Sequence, residues 1–450
     1  MSWHVAIAGG GFGGLYAARR LEHVLPKESA RITLVSDTNF LLYTPLLPGA
    51  ASGTLEPRHV VVPLRQELHH TSIRLGWVTG ADPTVNELRY RTADERDESL
   101  RYDQLIVALG SVSRVLPIPG LAEHGLGFKT ISEAIALRNR VLVSLELAEA
   151  ADDPQLRREY LTFAFVGAGY AGVEGIAELQ DFVADVIDRY PRSRLEGTRW
   201  ILVEAQDRIM MEIAPSLAEF AMRDLRGRGI EVRTGTRLDA VEESAVVLST
   251  GERIPCRTVC WTAGVKPPAL VRDLGLPLTH EGRIDVDENM RVRGRENVWA
   301  IGDSAAVPDP AKSRTQPSPP TAQHALRQGK RVAENVAATL GHGHIRPFTY
   351  KTLGVFVDMG RHKAVAEVLG VRLRGFPAWW AARTYHLAAM PGVGRRLRLL
   401  VDWTVALLFQ RDSAELGQLG HPPSLRGYLE TPSPEPKEGE TAVREAGSGS

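Results

Sequence analysis

Residues 3–15 read WHVAIAGGGFGGL, and the order of residue types in that stretch decides the fold. Residues 3–8 are a short apolar run of strand length. Gly9, Gly10, Gly11, Phe12, Gly13 and Gly14 then satisfy Gly-x-Gly-x-x-Gly, and apolar residues at helical spacing follow over 15–25. Strand, glycine turn and helix in immediate succession open a βαβ unit. The glycines let the chain turn tightly and bring its backbone against a pyrophosphate, whose charge rests on the open amides of the helix start. Residues 31–36 (RITLVS) close the unit as a second buried strand.

The same grammar returns downstream. Residues 161–166 (LTFAFV) read as a strand, Gly167-Ala168-Gly169-Tyr170-Ala171-Gly172 as the turn, 173–189 as a helix, and 198–205 (TRWILVEA) as the closing strand. Glu204 ends that strand, where a carboxylate accepts hydrogen bonds from a ribose 2′-hydroxyl and repels a 2′-phosphate, so NADH is expected over NADPH. In the first unit the matching position is Ser36, with Asp37 one residue later. Either Asp37 takes the ribose hydroxyls, or Ser36 does so without charge. Each unit is followed by a strand that ends in glycine, at 102–110 (YDQLIVALG, carrying Ala108 and Gly110) and at 258–264 (TVCWTAG, ending at Gly264). Residues 296–303 (ENVWAIGD, carrying Gly302 and Asp303) then form a late strand that returns to the first unit. Two dinucleotide sites in one chain imply hydride transfer from a nicotinamide to a flavin, with the cofactors supplying the reactivity and the protein the orientation.

The expected class is α/β, with two Rossmann-like dinucleotide-binding domains, the NAD domain inserted in the FAD domain. Residues 1–125 and 280–349 make the FAD domain and 126–279 the NAD(H) domain. Residues 350–412 read as a C-terminal amphipathic helical module for membrane docking or dimerisation, and 413–450 as a disordered tail of Pro, Glu, Gly and Ser. The 450 residues carry 54 basic and 54 acidic side chains and 43% apolar residues. Neutrality argues against a nucleic-acid binder held by bulk electrostatics. Cys256 and Cys260, read as lying on one strand, stand too far apart for a disulfide. No metal site is expected, no run reaches the length of a spanning helix, and the N-terminus is a fold element with no leader pattern.

At this point the residues resemble a known group: GGGFGGL, YDQLIVALGS, GAGYAGVEGIAEL and WAIGD, with 39–53 (NFLLYTPLLPGAASG) and 321–329 (TAQHALRQG), are similar to those of the type II NADH dehydrogenases. These are single-subunit, non-proton-pumping NADH:quinone oxidoreductases of the two-dinucleotide-binding flavoprotein superfamily. The resemblance runs from Trp3 to about Gln410. It implies FAD and NADH as cofactors and a quinone as acceptor, reached by ping-pong kinetics. It implies that Asp303 contacts the flavin ribityl chain, that Pro45 and Ala322 lie beside the flavin, and that Gln323 and Gln328 lie near the isoalloxazine and the quinone. Glu174 is implied to stand between nicotinamide and flavin, for positioning or proton handling; the bland alternative is a carboxylate that caps amides at a helix start.

Ser36 in place of an acid, Leu109 and Tyr43-Thr44 depart from the family's pattern. No cysteine is available beside the flavin, so electrons are expected to leave it directly. Residues 371–410 hold Arg372, Arg374, Arg383, Arg395, Arg396 and Arg398 against Asp402, with Trp379, Trp380 and Trp403. Arginine with tryptophan and leucine on short helices is the pattern of helices lying in the headgroup plane. The expected place is peripheral, on the cytoplasmic face of the cell membrane; a core-packing hairpin or a homodimer interface is the competing reading of the same segment. The rival function is a soluble NAD(P)H-dependent flavoprotein reductase with a ferredoxin-like or other small acceptor, and a nucleotide-binding sensor without turnover stands behind it.

Overall fold

Parallel pairing of the 3–8 run on both of its edges starts the first sheet. In the computed structural model, which describes residues 2–309, 313–352 and 354–415, Trp3–Ala8 pairs with Ala30–Ser36 on one side and Gln104–Val107 on the other. Val5, Ala6, Ile7 and Ala8 are all buried, as a parallel strand covered on both faces requires. The strand order is Val298–Ala300, Gln104–Val107, Trp3–Ala8, Ala30–Ser36 and Thr71–Asp82, extended by the antiparallel Glu87–Thr92 and Asp97–Arg101. The late strand therefore does join the first sheet, beside Gln104–Val107. The second sheet is parallel throughout, in the order Gly125–Gly127, Thr258–Trp261, Thr162–Val166, Arg199–Val203 and Ile230–Arg233.

The helices after the two glycine turns are Phe12–Val24 and Tyr170–Val186. Both begin three residues earlier than apolar spacing suggests, because the turn glycines Gly11 and Gly169 are already their N-caps. Cys256 does not share a strand with Cys260: it falls in the break between Arg253–Pro255 and Thr258–Trp261. Both thiols are free and buried, and burial pushes the Cys256 thiol up to about 12, which leaves it unreactive.

The C-terminal region is only partly helical. Gly354–Asp358, Ala364–Val368 and Val371–Arg374 form an antiparallel three-stranded sheet ahead of the helices Phe376–Ala389 and Val393–Leu408. The signal that marks the hairpin is Leu369-Gly370, a two-residue loop with both residues at positive φ, as primed turns require. This corrects the charge argument. Arg372 and Arg374 stand on a strand and reach Ser216 of the helix Pro215–Gly227. Arg383 is packed over the rings of Trp379 and Trp403. Both those tryptophans are buried, and only Trp380 of the three is exposed. The compact unit runs to Ser413. Most of the expected disordered tail, residues 416–450, lies outside the described residues.

Candidate active site

The two glycine turns have closely matching geometry. Gly9 has φ +107° and Gly167 φ +103°. A Cβ on Gly9 would meet the Ala108 carbonyl oxygen at 2.3 Å, and one on Gly167 would meet Ala263 at 2.7 Å. At the third glycine, a Cβ on Gly14 would stand 1.8 Å from Gly9 O and one on Gly172 1.9 Å from Gly167 O. Only glycine fits these positions. By contrast, a Cβ on Gly11 or Gly169 would meet nothing within 4 Å, so the middle glycine of each turn faces open space.

Those open faces border helix starts whose amides are uncapped. Gly11 and Gly169 offer no side-chain cap, and neither helix has an acid in its first turn. The helix Ile131–Ala150 has instead a Thr130–Glu133 capping box, and Ala322–Thr339 is capped by Thr321. Two helices that leave their positive ends bare at the carboxyl edge of a parallel sheet fit the pyrophosphates of FAD and NADH. Gly110 and Gly264, at matching places, also have positive φ and open surroundings.

The acids flanking the cradles differ. Glu204 Oε2 accepts from Ala168 N at 2.7 Å and Oε1 from Gln206 N at 2.9 Å, which aims the carboxylate at the second turn with acceptor capacity to spare. Ser36 is buried and pressed against Gly10, whose added Cβ would meet its Oγ at 2.4 Å; Asp37 is exposed. Asp303 lies in the turn Gly302–Ser304, past the end of Val298–Ala300 and beside the first cradle, where a Cβ on Gly13 would meet Ile301 at 3.0 Å. Gln328 is buried and its Oε1 accepts from Gly302 N at 2.8 Å, so its amide fixes the turn that carries Asp303. Gln323, one position after Ala322 at the helix start, donates to Gly354 O and accepts from Tyr350 Oη.

Glu174 lines a narrow crevice with a free volume of about 30 Å³. Pro45 and Leu55 wall it from one side, Glu178 lies one helical turn beyond Glu174, and Phe356, Asp358, Arg383 and His386 close it from the C-terminal region. Asp358 N donates to Glu174 Oε1 at 3.0 Å, and Ser52 Oγ donates to Glu178 Oε2 at 2.7 Å. Burial holds the Glu174 carboxyl well above the usual carboxylate range, with Asp358 and Glu178 adding like charge. Burial and Glu178 push Asp358 up to about 7, against the pull of Arg383. Burial and then Arg383 push His386 down to about 4. The crevice thus pairs neutral, proton-carrying carboxyls with a neutral imidazole, an environment able to hand over protons at neutral pH. Glu178, four residues after Glu174, is the one that helical spacing could have found; Arg383 reads in the sequence only as part of a charged surface, and Asp358 and His386 carry no signal there.

Two uncapped cradles, each at the end of parallel strands in its own sheet, with an acidic crevice beside them, define a two-nucleotide flavoprotein oxidoreductase. The sequence model of the pyridine nucleotide-disulphide oxidoreductase family matches residues 3–329. The chain is 32% identical to the type II NADH:quinone oxidoreductase Ndh of Mycobacterium tuberculosis, over 90% of this chain and 88% of that one. It is also 32% identical to the demethylphylloquinone reductase NdbB of Synechocystis, over 89% and 95%. The solved structure of NDH2 from Plasmodium falciparum in complex with NADH shares the fold, with a TM-score of 0.85 at 19% identity, covering 92% of this chain and 100% of that one. The chain belongs to the type II NADH dehydrogenases within the pyridine nucleotide-disulphide oxidoreductase family.

Proposed function

We propose that this protein is an FAD-dependent NADH:quinone oxidoreductase that works from a membrane surface. The observation that carries the reading is the matched pair of cradles with the proton-bearing crevice beside them. Bound FAD would supply the redox chemistry, able to accept a hydride from NADH and to give up two electrons to a quinone. The chain's own part is to hold FAD on the Gly9–Gly14 turn with Asp303, to hold NADH on the Gly167–Gly172 turn with Glu204, and to keep protons on Glu174 and Asp358 for an acceptor that reaches the mouth of the crevice. Gln328 acts through Gly302, as a positioning residue.

Among the described residues no helix is long and apolar enough to cross a membrane. The last helix nevertheless exposes a ridge of Val393, Leu397, Leu400, Val401, Val405 and Leu408, with Phe409 after it and Trp380 on the helix before. Arg396 and Arg398 flank it. An apolar ridge edged by arginine supports insertion into the headgroup layer, on the cytoplasmic leaflet, where a lipid-soluble quinone reaches the crevice without crossing water. A homodimer would bury the same ridge.

The test is oxidation of NADH and NADPH with a short-chain quinone, ferricyanide and oxygen in parallel. The purified protein is expected to be yellow and to reduce quinone faster with NADH; a preparation without flavin overturns the reading. Replacing Leu397 and Leu408 together by Glu is expected to abolish co-sedimentation with phospholipid vesicles while sparing ferricyanide reduction. Unchanged vesicle binding, or a switch from dimer to monomer with vesicle binding intact, would reject the docking assignment.

A further inference from the structure

Lys129 stands between Gly125–Gly127, the edge strand of the second sheet, and the helix Ile131–Ala150, yet its side chain leaves that domain. Its Nζ donates to Ser111 Oγ at 3.0 Å, and Ser111 Oγ donates in turn to Asp303 Oδ2 at 2.6 Å. Ser111 and Asp303 both lie past the carboxyl ends of first-sheet strands, Gln104–Val107 and Val298–Ala300. Gly125–Gly127 runs parallel to Thr258–Trp261, so Lys129 follows the carboxyl end of a second-sheet strand. The chain Lys129, Ser111, Asp303 therefore links the ligand-binding edge of one sheet to that of the other.

The loop that carries Lys129 is fixed independently of this link. Glu133 Oε2 accepts from the backbone amides of both Lys129 and Thr130, so that carboxylate is committed to the helix start. Burial lowers the Lys129 ammonium, while Asp303 and then Glu133 act to keep it charged.

We infer that Lys129 is a positioning residue for the flavin, holding Asp303 through Ser111 and placing a positive charge at the junction of the two nucleotide sites. The inference rests on the proposed function. Gaining a hydride adds negative charge to the flavin, so a cation at that junction stabilises its reduced form more than its oxidised form. Removing the cation also leaves the Asp303 carboxylate without its balancing charge, which weakens the FAD cradle.

The experiment compares the flavin-bound wild type with Lys129→Met and Lys129→Arg, reading the midpoint potential of the bound flavin by reductive titration against a reference dye. The Met variant is expected to titrate at a more negative potential and the Arg variant near wild type. An unshifted potential in the Met variant overturns the inference. Where the Met variant purifies without flavin, FAD is added back and its fluorescence quenching followed. Affinity is expected to be about tenfold weaker or worse, restored by Arg, on the scale of a lost hydrogen bond involving a charged group; equal affinity overturns the inference. A wild type that binds no FAD would instead reject the proposed function.

Discussion

Glu174 and Asp358 meet through one backbone contact, and each keeps its proton at pH values where an exposed carboxyl has lost it. The consequence for stability has a definite sign. Unfolded, Asp358 ionises near ~3.9; folded, it holds its proton up to about 7. Between those values the folded chain binds more protons than the unfolded chain, so stability falls as pH rises through that window, and the loss is complete above it. Asp358→Asn is expected to flatten this slope, read as urea midpoints at about pH 5 and about pH 8. Quinone reduction should also decline as pH rises through about 7 in the wild type, as the Asp358 proton is lost. Glu204 makes a separate residue-scale prediction. Its carboxylate is tied to Ala168 N and Gln206 N, with lone pairs left for a ribose. Glu204→Ala is expected to lower the kcat/KM preference for NADH over NADPH by about tenfold, the worth of a hydrogen bond to a charged group. An unchanged ratio in steady-state assays would remove Glu204 from the specificity assignment.

The two glycine helices are the elements whose starts bring the site together, and the third glycine of each turn is the tightest point. A methyl at Gly14 would stand 1.8 Å from Gly9 O, and one at Gly172 1.9 Å from Gly167 O. Backbone cannot yield by that much without opening the turn, so each cradle should fail separately. Gly14→Ala is expected to purify colourless. Gly172→Ala is expected to stay yellow, to be reduced by dithionite, and to resist reduction by NADH. Flavin absorbance per protein, before and after each reductant, separates the two cases. The C-terminal strands and helices do different work. The sheet that ends at Arg374 supplies Phe356 and Asp358 to the crevice, and the helix Phe376–Ala389 supplies Arg383 and His386. The last helix supplies Trp403 and turns its remaining apolar side chains outward.

At the scale of the molecule, the chain after the last helix returns to the second glycine helix. Arg411, buried there, lies within 3.6–3.9 Å of carboxylate oxygens of Glu178, Asp181 and Asp185. Three of the helix's acids thus share one guanidinium from the end of the compact unit, while Arg228 also reaches Asp181 and Arg361 also reaches Asp185. Because Asp181 and Asp185 keep Arg228 and Arg361, Arg411→Met is expected to cost less than the about 3–5 kcal/mol of a wholly stranded buried charge and to lower the thermal midpoint of the flavin-bound protein; an unchanged midpoint would mean that those partners suffice. Such a contact marks the boundary of what a sequence discloses. The paired turns, their strands and helices, and Glu204 at a strand end were readable from residues 3–36 and 161–205, because glycine spacing and apolar period are local consequences of backbone sterics and pleat; Glu174 was marked only by the resemblance to the family. Asp303 was readable as the end of a late strand. Ser36 and Asp37 stayed ambiguous, since which one faces the cradle depends on the packing of Ser36 against Gly10. The C-terminal sheet was missed, and with it the true placement of Arg372, Arg374 and Arg383: a positive charge reads the same in a string whether it meets lipid, Ser216 or a tryptophan face. The crevice, the Lys129 link and the Arg411 cluster join residues far apart in the chain. Only the tertiary structure decided them, because desolvation and charge pairing depend on distance through space.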